Sequence, residues 1–272
     1  MEIFIDSADL EQISKARSYG VLDGVTTNLS LIKKAVKKLQ DRGEKVDMQQ
    51  YIEKVLEEAN EAPVSLEVIG SDYESMVREG RLLYKTFNPI AGNVNVKIPV
   101  NPAFTKDSDK HFHGIRTIRT LAQEGVPINC TLVFTPEQAL LAAKAGASMI
   151  SPFAGRVDDH LRKKNNISFS KDDYFPAEGL EKGDLLDVDG IVSGIDLVSQ
   201  CVDLLRNYGF RSKVLAASLR NPRQIREAAL VGAHIATLPF NVIEELLLHE
   251  KTMEGMKKFM DDVVPEYADL LK

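Results

Sequence analysis

Val94-Asn95-Val96-Lys97-Ile98-Pro99 is the stretch on which the fold turns. Its apolar side chains alternate, with Val94, Val96 and Ile98 on one face of a strand and Asn95 and Lys97 on the other. Pro99, which has no N–H to donate, ends the segment. In a two-layer sheet with one wet face Lys97 points to solvent, the ordinary fate of a lysine. In a parallel barrel both faces are covered and Lys97 is enclosed. A lysine held out of water gives up its proton more readily. An unprotonated amine attacks a carbonyl to form a Schiff base.

Outward from this strand, short apolar runs recur at Ile3–Ile5, Gly24–Thr27, Val64–Val68, Ile128–Phe134, Met149–Ser151, Val214–Ser218 and Ile235–Leu238. With Val94–Ile98 they make eight. Helix-like stretches separate them. Leu10, Ile13 and Ala16 share a helical stripe in Asp9–Tyr19, with Asp9 as N-cap. Met76, Val77, Gly80 and Leu83 do the same in Asp72–Phe87. Pro136 and Pro222 sit at first-turn positions, and Gly146 and Gly232 where helix C-caps belong. Alternation of strand and helix predicts a parallel sheet. Eight such units in this length predict a single α/β domain over residues 1–272, a (β/α)₈ TIM barrel. The competing architecture is an open doubly wound sheet, which places a glycine-rich phosphate loop after its first strand. Here Asp6-Ser7-Ala8-Asp9 follows instead, with no glycine. Two stretches exceed the plain pattern. Asp47–Ala59 reads as an extra helix, and residues 158–190 form a polar insertion between the sixth strand and its helix, too long for an ordinary βα loop. Residues 253–272 read as a helical tail with a break at Pro265, placed to pack under the barrel or against a second copy.

Of the 272 residues, 44% are hydrophobic, enough for one large core. The net charge of -6 argues against nucleic acid or an anionic membrane as partner. No apolar run approaches 18 residues, the least that suggests a membrane span. The segment Met1-Glu2-Ile3-Phe4-Ile5-Asp6 begins a strand rather than a signal peptide, so the expected compartment is the cytoplasm. Cys130 and Cys201 read as small core residues, with neither disulfide nor metal-ligand spacing. His111 and His113 lack an evident third ligand and read as surface residues.

Barrel active sites form where the strands end. Here those ends carry Asp6; Thr26, Thr27 and Asn28; Glu67; Lys97; Asn129 and Thr131; Ser151, Phe153 and Arg156; and Ser218 with Arg220. Singly, each has a structural explanation: an N-cap, turn chemistry, a solvated arginine. Together they gather polar groups at one rim around one amine. Lys97 is placed to attack a ketone. Asp6 and Glu67 can move protons if their pKa values differ. Asn28 and Asn129 can bond sugar hydroxyls, and Arg156, Ser218 and Arg220 can hold a phosphate. No metal or other cofactor is required, because the iminium is itself the electron sink.

The segments Phe4-Ile5-Asp6, Gly24-Val25-Thr26-Thr27-Asn28, Val96-Lys97-Ile98-Pro99, Thr131-Leu132-Val133-Phe134, Ser151-Pro152-Phe153-Ala154-Gly155-Arg156 and Ala216-Ala217-Ser218 resemble, in order, the small transaldolase and fructose 6-phosphate aldolase family. The resemblance implies transfer of a dihydroxyacetone unit from a ketose phosphate, such as sedoheptulose 7-phosphate or fructose 6-phosphate, to an aldose phosphate. It implies Lys97 as Schiff-base lysine, Asp6 as the acid/base of carbon–carbon cleavage, and Thr131 with Glu67 as holders of a catalytic water. Asn28, Asn129 and Ser151 match hydroxyl contacts. Thr26 and Phe153 belong to the same substrate site, and Arg156, Ser218 and Arg220 match the phosphate grip. It also implies a homo-oligomer, a pentamer or decamer. The aldolase branch has glutamine at the position of Glu67 and tyrosine at that of Phe153, so this chain resembles the transaldolase branch. An aldolase releasing free dihydroxyacetone and a non-catalytic sugar-phosphate-binding barrel remain as alternatives.

Three departures stand out. Leu29 replaces a usual proline, so Asn28 is expected to be held less firmly. Leu219 replaces a usual phenylalanine, and the 158–190 insertion exceeds the family norm. Within it, Arg162-Lys163-Lys164 are candidates to attract phosphate, and Phe169, Tyr174 and Phe175 to anchor a lid; a solvated excursion or an oligomer contact is the plainer expectation.

Overall fold

A computed structural model describes residues 1–181 and 183–272. Strands β1 (Glu2–Asp6), β2 (Gly24–Thr26), β3 (Val64–Glu67), β4 (Val94–Pro99), β5 (Ile128–Val133) and β6 (Met149–Pro152) pair in sequence, each parallel to the next. A short antiparallel pair follows, β7 (Leu180–Glu181) with β8 (Asp184–Leu185). Strand β9 (Lys213–Ala216) then pairs with β6, β10 (Ile235–Leu238) with β9, and β1 closes the ring against β10. All eight apolar runs are barrel strands, and the open-sheet alternative is excluded by that closure.

The helices are α1 (Leu10–Ser18), α2 (Leu29–Asp41), α3 (Met48–Ala59), α4 (Tyr73–Ala91), α5 (His113–Gln123), α6 (Pro136–Ala145), α7 (Ala154–Lys164), α8 (Gly194–Asn207), α9 (Pro222–Leu230), α10 (Phe240–Glu245), α11 (Glu250–Asp261) and α12 (Pro265–Asp269). Local chemistry sets their ends as expected. Asp9 Oδ1 accepts from the N–H groups of Glu11 and Gln12, and Gly146, at φ +102°, ends α6 in the left-handed conformation that glycine adopts without a Cβ penalty.

Two sequence expectations need correction. The Asp47–Ala59 stretch is not the supernumerary helix. Its Tyr51, Ile52, Val55, Leu56 and Ala59 are buried, so α3 is part of the ring that backs the sheet. The extra helix is α2, which buries only Ala35. Similarly, residues 158–164 are not loop. They complete α7, whose Val157 and Leu161 are buried, so the connection proper runs over 165–193. Helix α11 buries none of its residues, and Met253, Met256, Phe259 and Met260 are exposed along it.

The pleat sorts the strand residues into two cores. Outward-facing Ile5, Val25, Leu66, Val96, Ile98, Cys130, Ile150, Val214, Ala216 and Leu238 pack against the helices. Inside the barrel a smaller cluster of Phe4, Met149, Leu215, Ala217 and Ile235 forms a floor. Gly24 makes this floor possible: a Cβ there would collide with the Phe4 ring. Above the floor the inward positions turn polar.

Candidate active site

Lys97 occupies the inward face of β4, in register with Glu67 on β3 and Asn129 on β5. It is 5% exposed. Its Nζ donates to the carbonyl oxygen of Thr27 at 3.0 Å, and it forms no ion pair among the described residues. Thr27 is fixed in turn by its own hydroxyl, which donates to the Ser65 carbonyl. The amine is therefore enclosed, aimed and free of any salt-bridged carboxylate.

It opens into a cleft of about 360 Å³ at the C-terminal ends of the strands. Asp6 lines this cleft and accepts a 2.7 Å hydrogen bond from Thr26, whose oxygen also meets Thr237 at 2.5 Å. Burial pushes the Asp6 carboxyl above the usual range, against the opposing pull of Lys97. Glu67 is raised by the same cause. It is the strand neighbour of Lys97 but does not line the cleft.

Two more predicted residues stand behind the cleft wall. Asn129 is fully buried; its Nδ2 donates to Ser65 Oγ and its Oδ1 accepts from Ser151 Oγ. This chain of hydrogen bonds points the Ser151 proton inward and leaves its lone pairs toward the cleft, which Ser151 lines. Thr131 is 1% exposed, and its hydroxyl has no hydrogen-bond partner. A buried orphan of this kind costs roughly 1–3 kcal/mol and calls for an explanation. The backbone beside it is irregular. The β5–β6 register shifts between Cys130 and Val133, and Leu132 takes a left-handed φ of 58°. Such a bulge re-aims a side chain.

Asn28, Phe153, Arg156, Ser218 and Arg220 complete the predicted rim, and all line the cleft. Asn28 N-caps α2, its Oδ1 accepting from Leu31 N at 3.0 Å. Phe153 packs on Phe134, and the Arg156 guanidinium lies 4.9 Å from the Phe153 ring. Ser218 has a left-handed φ of 63°, a strained conformation of the kind that collects at ligand sites. Gly155 lets this turn approach α7, since a side chain there would strike the Ser218 carbonyl and the Arg220 guanidinium.

Arg220 is bound differently from what the sequence suggests. Its Nη1 and Nη2 each lie 2.6 Å from an oxygen of Asp159, and Nη1 also donates to the Lys171 carbonyl at 2.8 Å. Its two terminal nitrogens are taken by protein, while its buried Nε has no hydrogen-bond partner among the described residues. Asp159, Lys171 and Thr237 all line the cleft without having been singled out. Thr237 had a signal, as the one polar residue in Ile-Ala-Thr-Leu, two positions after Ile235 and so on the same face. The other two had none that set them apart from neighbouring charges.

Arg162 is not a phosphate attractor. It is 2% exposed, paired with Glu181 at 2.7 Å and bonded to the carbonyls of Asp173 and Tyr174. His111 and His113 are not simple surface groups either: His111 bridges Asn101 and the Lys106 carbonyl, and His113 Nδ1 accepts from Tyr73 N. Among the described residues no group of three His, Cys, Asp or Glu side chains is arranged to hold a metal ion. None of the described helices is long and apolar enough to cross a membrane.

The chain matches the Transaldolase/Fructose-6-phosphate aldolase family over residues 3–269. It belongs to that family. Over 272 residues it is 37% identical to a probable transaldolase of Petrotoga mobilis, covering 100% of this chain and 98% of that one. Over 262 residues it is 43% identical to a probable transaldolase of Chlorobium phaeobacteroides BS1, covering 96% and 97%. A probable transaldolase of Aquifex aeolicus is 37% identical over 268 residues, covering 98% and 99%.

The two substitutions that depart from the family pattern have local accounts. Leu29 opens α2 without a proline, and the Asn28 cap fixes the helix start instead, so Asn28 is held. Leu219 is 1% exposed and joins the outer core, an apolar role that leucine fills as phenylalanine does.

Proposed function

We propose that this protein is a transaldolase that carries a dihydroxyacetone unit on Lys97. The single observation that carries this reading is the enclosed Lys97 amine, hydrogen-bonded only to a backbone carbonyl and opening into a cleft beside Asp6. Lys97 Nζ attacks the C2 carbonyl of a ketose phosphate such as sedoheptulose 7-phosphate or fructose 6-phosphate. Loss of water from the carbinolamine gives an iminium. Asp6 takes the proton of the C4 hydroxyl as the C3–C4 bond breaks, and its raised pKa suits it to hold and return that proton. The aldose phosphate leaves, and the enamine carbon attacks an incoming aldehyde. Water then releases the ketose.

Thr131 and Glu67 hold the water used to form and hydrolyse the iminium, which gives the orphaned Thr131 hydroxyl its partner. Asn28, Thr26 and Ser151 bond the hydroxyls of the bound sugar, Asn129 fixes Ser151, and Phe153 forms the wall. Arg156 and Ser218 hold the phosphate, with Arg220 behind them. The exposed Met253, Met256, Phe259 and Met260 of α11 cover one another or a neighbour's surface in a homo-oligomer, and light scattering of the purified chain reads the subunit count. The reaction belongs to cytoplasmic sugar-phosphate metabolism.

Borohydride reduction in the presence of fructose 6-phosphate tests the reading. The expected product is a covalent adduct on the Lys97 peptide, located by mass spectrometry; no adduct, or one on another lysine, rejects the mechanism. Turnover of fructose 6-phosphate without an acceptor aldehyde marks the aldolase instead.

A further inference from the structure

Beside β1 the barrel interior changes character within one step of the pleat. Phe4, Gly24 and Ile235 meet at the floor, and two residues further along the same three strands stand Asp6, Thr26 and Thr237. Strands β10 and β2 flank β1, so the two threonines reach the aspartate from either side. Their hydroxyl oxygens lie 2.5 Å apart, and Thr26 Oγ1 is 2.7 Å from Asp6 Oδ1. Thr237 is 3% exposed, lines the cleft and makes no other side-chain hydrogen bond among the described residues.

Counting protons gives this chain a direction. A hydroxyl has one proton and two lone pairs, and an ionised carboxylate only accepts. With Asp6 ionised, the Thr26 proton lies on Asp6 Oδ1. The close contact between the threonines is then a hydrogen bond only if its proton comes from Thr237. Thr237 therefore donates to Thr26, and Thr26 to Asp6. Bonds in such a chain polarise one another, so the outer hydroxyl strengthens the inner bond. Thr26 keeps its second lone pair for a sugar hydroxyl. Asp6 Oδ1 is occupied, and Oδ2 accepts no hydrogen bond among the described residues. Lys97, Lys171, Arg156 and Glu67 act on this carboxyl through their charges, whereas Thr26 is its one hydrogen-bond donor among the described residues.

We propose that Thr237 is a positioning residue for the catalytic carboxylate: its hydroxyl keeps the Thr26 proton on Asp6 Oδ1, and so leaves Oδ2 as the oxygen that exchanges a proton with the substrate. The proposal rests on the role of Asp6 in the transaldolase reading above and brings in β10, which supplies no other group to that reading. Without the outer hydroxyl, Thr26 is free to turn away. The Thr26 bond draws the Asp6 pKa down, against burial, so its loss moves the titration of Asp6 upward. Cleavage needs Asp6 ionised, so the acid limb of the kcat profile, which reports the bound complex with Lys97 already an iminium, moves to higher pH.

The test uses the full-length protein. Thr237→Val keeps the shape and removes the hydroxyl. It is expected to lower kcat for fructose 6-phosphate with an aldose phosphate acceptor about tenfold and to move the acid limb upward. Half-saturation by dihydroxyacetone in borohydride trapping should stay close to wild type, and Thr237→Ser should recover most of the loss. Thr26→Val/Thr237→Val should be no slower than Thr26→Val, since Thr237 acts through Thr26. An unmoved acid limb, additive losses in the double variant or no recovery in Thr237→Ser overturns the proposal. So does a weakening of dihydroxyacetone half-saturation that matches the lost turnover, which makes Thr237 a substrate ligand. Carbon-13 spectra of protein labelled at its aspartate carboxyls, with the Asp6 signal assigned by Asp6→Asn, read the same link without turnover. The Asp6 midpoint should rise in Thr237→Val and return in Thr237→Ser; one midpoint for all three proteins overturns the proposal. Should Thr237→Val fail to fold, Thr237→Ala takes its place in both measurements. A wild-type protein that traps no ketose rejects the transaldolase reading, and the carbon-13 titration still decides whether Thr237 governs Asp6.

Discussion

Lys97 and Arg162 are both withdrawn from water, and their surroundings are opposite. Arg162 is paired with a carboxylate, bonded to two carbonyls and set against the rings of Phe169 and Phe175. Lys97 has one neutral oxygen, from Thr27, and the open cleft. A buried cation paired with a carboxylate and bonded through each of its nitrogens is structural, because its charge is compensated within the fold. A buried amine left nearly bare is a chemical resource: it keeps a lone pair to spend once its proton is gone. The chain thus uses one kind of residue to fasten the 165–193 connection and another to react.

Each half of this contrast can be broken separately. Lys97→Met should lower turnover by on the order of 10⁴-fold or more and abolish the borohydride adduct. Its denaturation midpoint should be no lower than wild type, because an apolar chain of similar length replaces a desolvated amine; a collapsed fold would make Lys97 structural after all. Arg162→Met should do the reverse. Loss of its pairing leaves Glu181 and two carbonyls unanswered and should cost about 3–5 kcal/mol of stability in urea denaturation, with the Lys97 adduct still forming at low temperature.

Asp6→Asn should slow the steady-state transfer reaction by about 10²–10³-fold, the usual range for loss of a proton carrier, with the iminium still trappable. Thr131→Val is expected to reduce turnover about tenfold while leaving stability equal or higher, since it removes a hydroxyl that the folded protein does not satisfy. A lower stability would mean that the hydroxyl has a structural partner.

The smallest effect is one of slope. Burial pushes the Asp158 carboxyl up to about 7, against the Gly194 hydrogen bond and the charges of Arg162 and Arg220. Unfolded, it titrates near about 4. The folded chain therefore holds a proton in that interval that the unfolded chain has lost. The contribution of this group to stability is complete below about pH 4 and disappears as pH rises through about 7. Asp158→Asn should gain stability relative to wild type between about pH 5 and about pH 8, read from urea midpoints; a gap independent of pH would show that Asp158 does not titrate there.

The fold was legible because its signal repeats. Each inward–outward alternation is short, but Val94 to Ile98 says the same thing as Val64 to Leu66 and Ile235 to Leu238, and closure needs only the count. The rim was legible because polar residues at strand ends cannot be explained by an outer core. The additional helices were harder to place. Residues 29–41 and 48–59 are both amphipathic, and only packing decides which backs the sheet. The roles of Arg162 and Arg220 could not be read in advance. Whether an arginine faces a ligand or a carboxylate of its own chain depends on Glu181 and Asp159, and nothing in the spacing ties those partners together. Lys171 was hidden for the same reason, as one cation among several in a polar stretch.

Phe4, seated over Gly24, makes the barrel a cup with a single opening. Whatever enters past Arg156 must also depart that way. The first aldose has to vacate the mouth before its successor can approach the enamine, so the chain should show parallel lines in double-reciprocal plots at varied acceptor, the kinetics of a two-stroke exchange.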